Sequence, residues 1–418
     1  MKTTPQLKII VLFVLLGLLS VASLIAQNKT CDCLTDLQFL EEKLQKSKAY
    51  KIDYRGKKGQ FSAKAEAIKK DATSTMPVFD CYLKLQEMLA LVNDNHNYIL
   101  GTQYFTGKLD SIDLDQVKKE TYFNYYPKFE GNLDSLETVL QRHGLSAEEG
   151  IYAASDNLRL GIFQTKKTKL AMVVLQSNLP LWSRGEILGE LLPKGNQYEA
   201  VMGLFSSKRL VTVPVDLKEG QLLMLGLTKE NAIEDVSRDY LSQKDLFLDE
   251  IDSHTQYLRV ASFNSFYPFL TEAEKFYDSI TRKLTAKNLV LDLRHNRGGG
   301  DRNSNILKDL LEDYLKEGGN LYVMIDFGTS SNGEQFAVKL AEEKNVTLIG
   351  DRTNGQIAYE INGGSFDLPS GLFKGLISKK LHRKFLMYET VGVKPDIYLD
   401  YKTPWMEQVA ELLKSSEL

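Results

Sequence analysis

The sequence is poor in residues that staple or punctuate a small domain. Its 418 residues include three cysteines, ten prolines, five histidines and two tryptophans. Three cysteines cannot form a disulfide framework, and no second cysteine pair or His-x-x-x-His spacing offers a zinc site. Nor does charge of one sign dominate. Fifty-two Lys and Arg stand against 55 Asp and Glu, for a net charge of −3, which excludes the basic footprint expected of a DNA or RNA partner. Beyond the N-terminus there is no second long uncharged apolar run, no internal repeat and no low-complexity linker. With so few histidines, the search for a catalytic base has five candidates.

The N-terminus carries the clearest targeting pattern. Lys2 and Lys8 precede an uncharged run from Ile9 to Ala26, with small residues at Ser20, Ala22, Ser23 and Ala26. This reads as a secretory signal peptide over 1–26, cleaved near Ala26/Gln27, and predicts export to the periplasm or the exterior. The run is also close to membrane-spanning length, so retention as an anchor is the alternative. Cys31 lies too far past the small residues for a lipoprotein signal. An exported chain allows disulfides. Either Cys31 or Cys33 can pair with Cys81, with one thiol left over, or all three remain thiols.

The hydrophobic period changes twice. Up to about residue 145 it is helical. Thr35 with Gln38 reads as a capping box ahead of Leu37, Leu40 and Leu44. Pro77 opens a helix bearing Val78, Tyr82, Leu85, Leu89 and Val92, which ends in Asn93-Asp94-Asn95-His96-Asn97. From 150 to 240 the period is two, as in Leu158, Leu160, Ile162 and in Tyr198, Ala200, Met202, Leu204. After about 245, strands at Tyr257–Phe263, Leu289–Leu293, Leu321–Ile325 and Val346–Ile349 alternate with helices. Those helices are signalled by Thr271/Glu274, Asn303-Ser304, Gly333 and Thr403-Pro404. The expected layout is a helical domain over 27–145, a small β-rich module over 150–240 and an α/β core over 245–418 with a largely parallel, buried sheet.

Two loops at the carboxyl ends of core strands carry unusual residues. Arg294-His295-Asn296-Arg297-Gly298-Gly299-Gly300 exposes backbone N–H groups, as an oxyanion hole or anion nest requires; a tight turn is the simpler reading. It is not a P-loop, because no Gly-Lys-Ser/Thr closes it. Gly328-Thr329-Ser330-Ser331-Asn332-Gly333-Glu334 puts a serine on a strand-to-helix turn, where it can be a nucleophile or only a helix cap.

In sequence these two loops, followed by Ile349-Gly350-Asp351-Arg352-Thr353-Asn354-Gly355, resemble the tail-specific (C-terminal-processing) peptidases and the tricorn core. The resemblance implies a crotonase-like spiral of ββα units in the core. The processing branch of that family uses a Ser-Lys dyad with Thr-x-Gly-Lys; here the motif reads Thr353-Asn354-Gly355-Gln356, and glutamine cannot be a base. The tricorn-like branch uses serine, histidine and an acid. Asp94-Asn95-His96-Asn97-Tyr98, Ser331-Asn332-Gly333-Glu334 and Glu389 ahead of Gly392-Val393-Lys394-Pro395-Asp396 are similar to its three motifs, in order.

The resemblance therefore implies an exported serine peptidase that forms an acyl-enzyme on Ser331, with His96 as base and Glu389 as acid. The oxyanion donors would be the N–H groups of Asn332, Gly298 and Gly299. Asn95 replaces the family's serine and would orient the histidine through its amide. Peptides or unfolded proteins are the expected partners, and no metal or organic cofactor is needed. No carboxylate-binding PDZ module is found in 150–240. Of the other histidines, His143, His254 and His382 read as surface residues. His295 is the competitor, and its place in the glycine loop implies a spacer facing away. Two alternative functions are a catalytically silent peptide binder on this scaffold and a crotonase-like acyl-thioester enzyme; the export signal disfavours the latter.

Overall fold

The computed structural model describes residues 30–105, 113–154, 157–166, 169–230, 232, 237, 244–361 and 364–415. The signal-peptide reading over 1–26 falls outside them. Among the described residues, no helix is long and apolar enough to cross a membrane.

The N-terminal part is helical, as its period requires. Helix Cys33–Gln45 buries Leu37, Leu40 and Leu44 on one face. Its cap is not the Thr35/Gln38 box. Asp32 stands at the N-cap and accepts from the Thr35 N–H at 3.2 Å and the Thr35 hydroxyl at 2.7 Å, because a carboxylate outcompetes a hydroxyl for the free N–H groups of the first turn. Helix Val78–Leu89 starts directly after Pro77 and buries Val78, Tyr82, Leu85 and Leu89. A Cys33–Cys81 disulfide joins the two helices, with 5.5 Å between Cα atoms. Cys31 is the leftover thiol, and burial pushes its pKa up to about 12.

Residues 150–229 form a nine-stranded, wholly antiparallel sheet. Strand Lys169–Ser177 shows why its period is two. Ala171, Val173 and Leu175 pack with Leu140 of helix Leu133–Leu140 on one face, while Leu170, Met172 and Val174 join the main core on the other.

The C-terminal part holds a six-stranded sheet. In spatial order its strands are Leu246–Glu250, Thr255–Val260, Asn288–Asp292, Asn320–Ile325, Val346–Gly350 and Ile397–Tyr398. The first pair is antiparallel and all the others are parallel. Helices Phe269–Ile280, Asp301–Lys316 and Asn332–Leu340 form the crossovers. Two begin earlier than their signals. Phe269–Ile280 follows Pro268 rather than Thr271, and Asp301–Lys316 starts at the end of the glycine loop rather than at Asn303. The chain is thus a mixed α/β protein with a β-rich central module.

One small sheet bears on function. Strand Tyr98–Gly101, which leaves the Asn93–Asn97 segment, pairs antiparallel with Phe373–Leu376, so Tyr98 faces Leu376 and Gly101 faces Phe373. The Tyr82 hydroxyl donates to the Ile99 carbonyl at 2.7 Å. The helical part is thereby hydrogen-bonded to the C-terminal part directly after His96.

Candidate active site

Ser331 sits between the strand Asn320–Ile325 and the helix Asn332–Leu340, at φ +56° and ψ −123°. This is a strained conformation for a residue with a side chain, as on a sharp strand-to-helix turn that presents a hydroxyl. The turn is held from three directions. The Ser330 N–H donates to the Asn296 carbonyl at 2.9 Å, and the Ser331 N–H to the Gln356 carbonyl at 2.7 Å. The Ser331 N–H also donates to Glu334 Oε2 at 3.0 Å, so Ser331 does cap the helix as well as stand at the turn.

Glu334 is the hub of this arrangement. Fully buried, its carboxylate accepts from the Ser331, Gly355 and Gln356 N–H groups at 2.9–3.0 Å and from the Thr353 hydroxyl at 2.5 Å. Those donors favour the ionised form, but burial outweighs them and pushes its pKa up to about 8.

His96 meets the serine from the other side. Its Nε2 lies 3.1 Å from Ser331 Oγ, and the ring is 4% exposed. Burial lowers its pKa to about 4, so the imidazole is neutral at pH 7. Its backbone N–H donates to Asp94 Oδ1 at 2.9 Å, and the other Asp94 oxygen accepts from the Ser378 hydroxyl. Burial raises Asp94 to about 6. Among the described residues, His96 Nδ1 has no hydrogen-bond partner.

Glu389 is near the ring without bonding it. A Glu389 oxygen, an Asp94 oxygen and a ring nitrogen of His96 lie within 4.8 Å of one another. The Glu389 carboxylate instead accepts three backbone N–H groups, from Asn95 at 2.8 Å, Ile357 at 3.0 Å and Ala358 at 2.7 Å. Burial pushes its pKa up to about 7. Asn95 does not contact the ring through its amide either. Its Nδ2 donates to the Gly355 carbonyl at 3.0 Å, and its carbonyl accepts from Gln356 Nε2 at 2.7 Å. Its hold on the histidine is therefore through the backbone of 95–96, and Gln356 fastens that segment to the serine turn.

The glycine loop lies against Ser331. A Cβ on Gly298, at φ +84°, would come 2.6 Å from the Asn332 nitrogen and 3.0 Å from Ser331 Cβ. A Cβ on Gly299 would come 2.0 Å from the Phe263 carbonyl oxygen, so neither position tolerates a side chain. Of the three expected oxyanion donors, Gly298 is already engaged, its N–H donating to Asn296 Oδ1 at 2.8 Å. No hydrogen bond among the described residues uses the N–H of Gly299 or Asn332. His295 turns to Asp326, with Nδ1 at 2.5 Å from Oδ2. That pair holds Asp326 down to about pKa 2. His254 is exposed, and His143 and His382 are half-buried, the last paired with Glu360.

Sequence reasoning brought Ser331, His96, Asn95, Glu389 and the glycine loop into consideration, and the fold places them together. It assigned no role to Glu334, Gln356, Asp94 or Asn296. The only sequence signal for these was their position inside the motifs. As for metal-binding groups, Asp94, His96 and Glu389 form one cluster. A second, Cys31, Asp36 and Cys81, is disqualified because Cys81 is in the disulfide.

Residues 301–399 match the family model of peptidase family S41. No curated protein matches the chain. Several solved structures are similar at low identity. The photosystem II D1 C-terminal processing protease is 15% identical, covering 91% of this chain and 97% of that one, with a TM-score of 0.40. Mature CPAF is 12% identical over 93% of this chain and 97% of its own, with a TM-score of 0.43. The tricorn protease is 12% identical over 91% of this chain but only 37% of its own, with a TM-score of 0.37. These likenesses are loose; the family match over 301–399 is what bears out the expected class, a serine-type peptidase.

Proposed function

We propose, from the peptidase family S41 segment at residues 301–399, that this protein hydrolyses peptide bonds through Ser331, His96 and Glu389. The observation that carries this reading is the 3.1 Å approach of His96 Nε2 to Ser331 Oγ.

In the proposed reaction Ser331 Oγ attacks the peptide carbonyl carbon as its proton passes to His96 Nε2. The neutral imidazole is suited to accept it. The oxyanion takes hydrogen bonds from the Asn332 and Gly299 N–H groups. The C–N bond then breaks, and His96 returns the proton to the leaving amine. Water, deprotonated by the same imidazole, cleaves the acyl-Ser331 ester and restores the hydroxyl. Glu389 stabilises the imidazolium by its nearby charge rather than through a direct bond, and Asn95 positions the backbone that carries the ring.

The rest of the reading is proposed with it. The core over 245–418 is a crotonase-like ββα spiral, preceded by a helical domain over 27–145 carrying His96 and a β-rich module over 150–240. The substrates are peptides or unfolded proteins. The chain acts outside the cytoplasm, in support of which stand the leader pattern over 1–26 and the Cys33–Cys81 disulfide.

Turnover of a fluorogenic peptide library by wild type and by Ser331→Ala, His96→Ala and Glu389→Gln tests this. The reading requires hydrolysis by wild type and its loss in the first two variants. Hydrolysis that survives Ser331→Ala refutes it.

A further inference from the structure

Asp94, His96 and Glu389 are 6%, 4% and 5% exposed, and each brings a metal-ligating atom to within 4.8 Å of the other two. Acidic clusters are common and mean little alone. Here a second observation stands beside the cluster: His96 Nδ1 is buried and has no hydrogen-bond partner among the described residues, at odds with the general rule that buried ring nitrogens are paired. Its other nitrogen is turned to Ser331. Nδ1 is thus an unpartnered nitrogen beside two buried carboxylates, and it offers a lone pair in the tautomer whose proton is on Nε2. No Lys or Arg among the described residues forms an ion pair with Asp94 or Glu389, and the charged groups that act on them are other acids, Asp53 on Asp94 and Asp94 on Glu389.

We propose that Asp94, His96 Nδ1 and Glu389 form a binding site for a divalent zinc ion, and that the bound ion switches the active site off. One imidazole nitrogen and two carboxylate oxygens suit zinc at about 2.0–2.2 Å from each ligand. Calcium and magnesium prefer six or more oxygens or retained waters. The ligand atoms must draw together from within 4.8 Å of one another; Asp94 Oδ1 and Glu389 Oε1 each accept one N–H and keep a lone pair for the metal, whereas Glu389 Oε2 already accepts from both Ile357 and Ala358.

The inhibitory consequence rests on the proposed Ser331–His96 chemistry. A neutral imidazole has one lone pair and one N–H. When Nδ1 gives its lone pair to the metal, the ring proton stays on Nε2, which faces Ser331. Nε2 then donates to the serine oxygen and cannot take its proton, so no alkoxide forms. Zinc at this site is an inhibitor and not a cofactor; its removal by a chelator returns the lone pair to Nε2.

The test uses the Ser331→Ala protein, which keeps all three ligands and cannot turn over substrate. After stripping with EDTA it is titrated with zinc chloride in a calorimeter. One site is expected, weakened at least about tenfold in the added variants Asp94→Asn and His96→Ala, with thermal melts showing that each variant is folded. In wild type, peptide hydrolysis falls with the same zinc midpoint and recovers on adding EDTA. Zinc bound equally by the His96→Ala and Asp94→Asn proteins, or no zinc bound by Ser331→Ala, overturns the site. Hydrolysis by wild type that stays constant while calorimetry shows the site filled overturns the switch. Zinc binding that depends on His96 in a chain that never hydrolyses peptide supports the site and counts against the peptidase reading alone.

Discussion

His96 Nε2 approaches Ser331 Oγ to 3.1 Å, although 235 residues separate them. Neither residue reaches the other unaided. The His96 side is held by Tyr98–Gly101 pairing with Phe373–Leu376 and by Gln356 on the Asn95 carbonyl; the Ser331 side is held by Glu334, the Gln356 carbonyl and Asn296. Gln356 touches both sides. Its side chain is bonded to the carbonyl of the residue before the histidine.

Gln356→Ala removes the hydrogen bond to Asn95 and leaves the serine turn's backbone contact in place. One neutral hydrogen bond corresponds to about 1 kcal/mol. The expected result is a fall in kcat of about fivefold with KM little changed, read from steady-state peptide hydrolysis. A change confined to KM contradicts the role.

Gly298→Ala puts a methyl carbon 2.6 Å from the Asn332 nitrogen, where the oxyanion would sit. Loss of one oxyanion donor costs about 10²–10³ in kcat. The same loss in kcat is expected here, together with a lower melting temperature, since the position has no room for a side chain.

Glu334 supplies a pH dependence. Its folded pKa, about 8, lies above the ordinary 4.5. The folded state therefore favours the protonated form. The stability this group contributes is complete below about pH 4.5 and is lost as pH rises through 8, by several kcal/mol at most. Glu334→Gln cannot reproduce the site, since its NH₂ would face the Ser331 and Gln356 N–H groups in one orientation and the Gly355 N–H in the other. The variant is expected to be less stable at acid pH, to lose most turnover, and to lack this downward slope in unfolding free energy between pH 4.5 and 8. Denaturant titrations across that range compare the two slopes.

The Cys33–Cys81 link closes a 48-residue separation. By loop entropy that amounts to about 4 kcal/mol at most. The double variant Cys33→Ser/Cys81→Ser should unfold at lower denaturant by a difference of that order. Ser331 and His96 do not touch the link, so hydrolysis should persist at low temperature.

Much of this site was legible because its chemistry lies in short motifs. The glycine loop, the Ser331 turn, the His96 segment and Glu389 each stand in a short motif similar to one of a known peptidase family; of their residue types only histidine, at five residues, is rare in the chain. The helix starts were read less well, because Asp32 and Pro268 gave stronger local starts than Thr35 and Thr271. The braces were not legible. Glu334 looks like an ordinary first-turn acid until the fold brings Thr353, Gly355 and Gln356 over it. The choice of Cys33 over Cys31 for the disulfide depends on the direction each Cβ takes at a helix start, which spacing alone does not encode. Asn95's backbone role likewise depends on a contact 260 residues away, at Gly355.

The account stands on an imidazole that activates one serine hydroxyl. Labelling with a fluorophosphonate, followed by intact mass and peptide mapping, reads that directly. The account predicts a single adduct on Ser331 in the folded wild-type protein, none in Ser331→Ala, and labelling slowed by orders of magnitude in His96→Ala. Labelling of Ser331 at the wild-type rate in folded His96→Ala, or none at all in folded wild type, would contradict it.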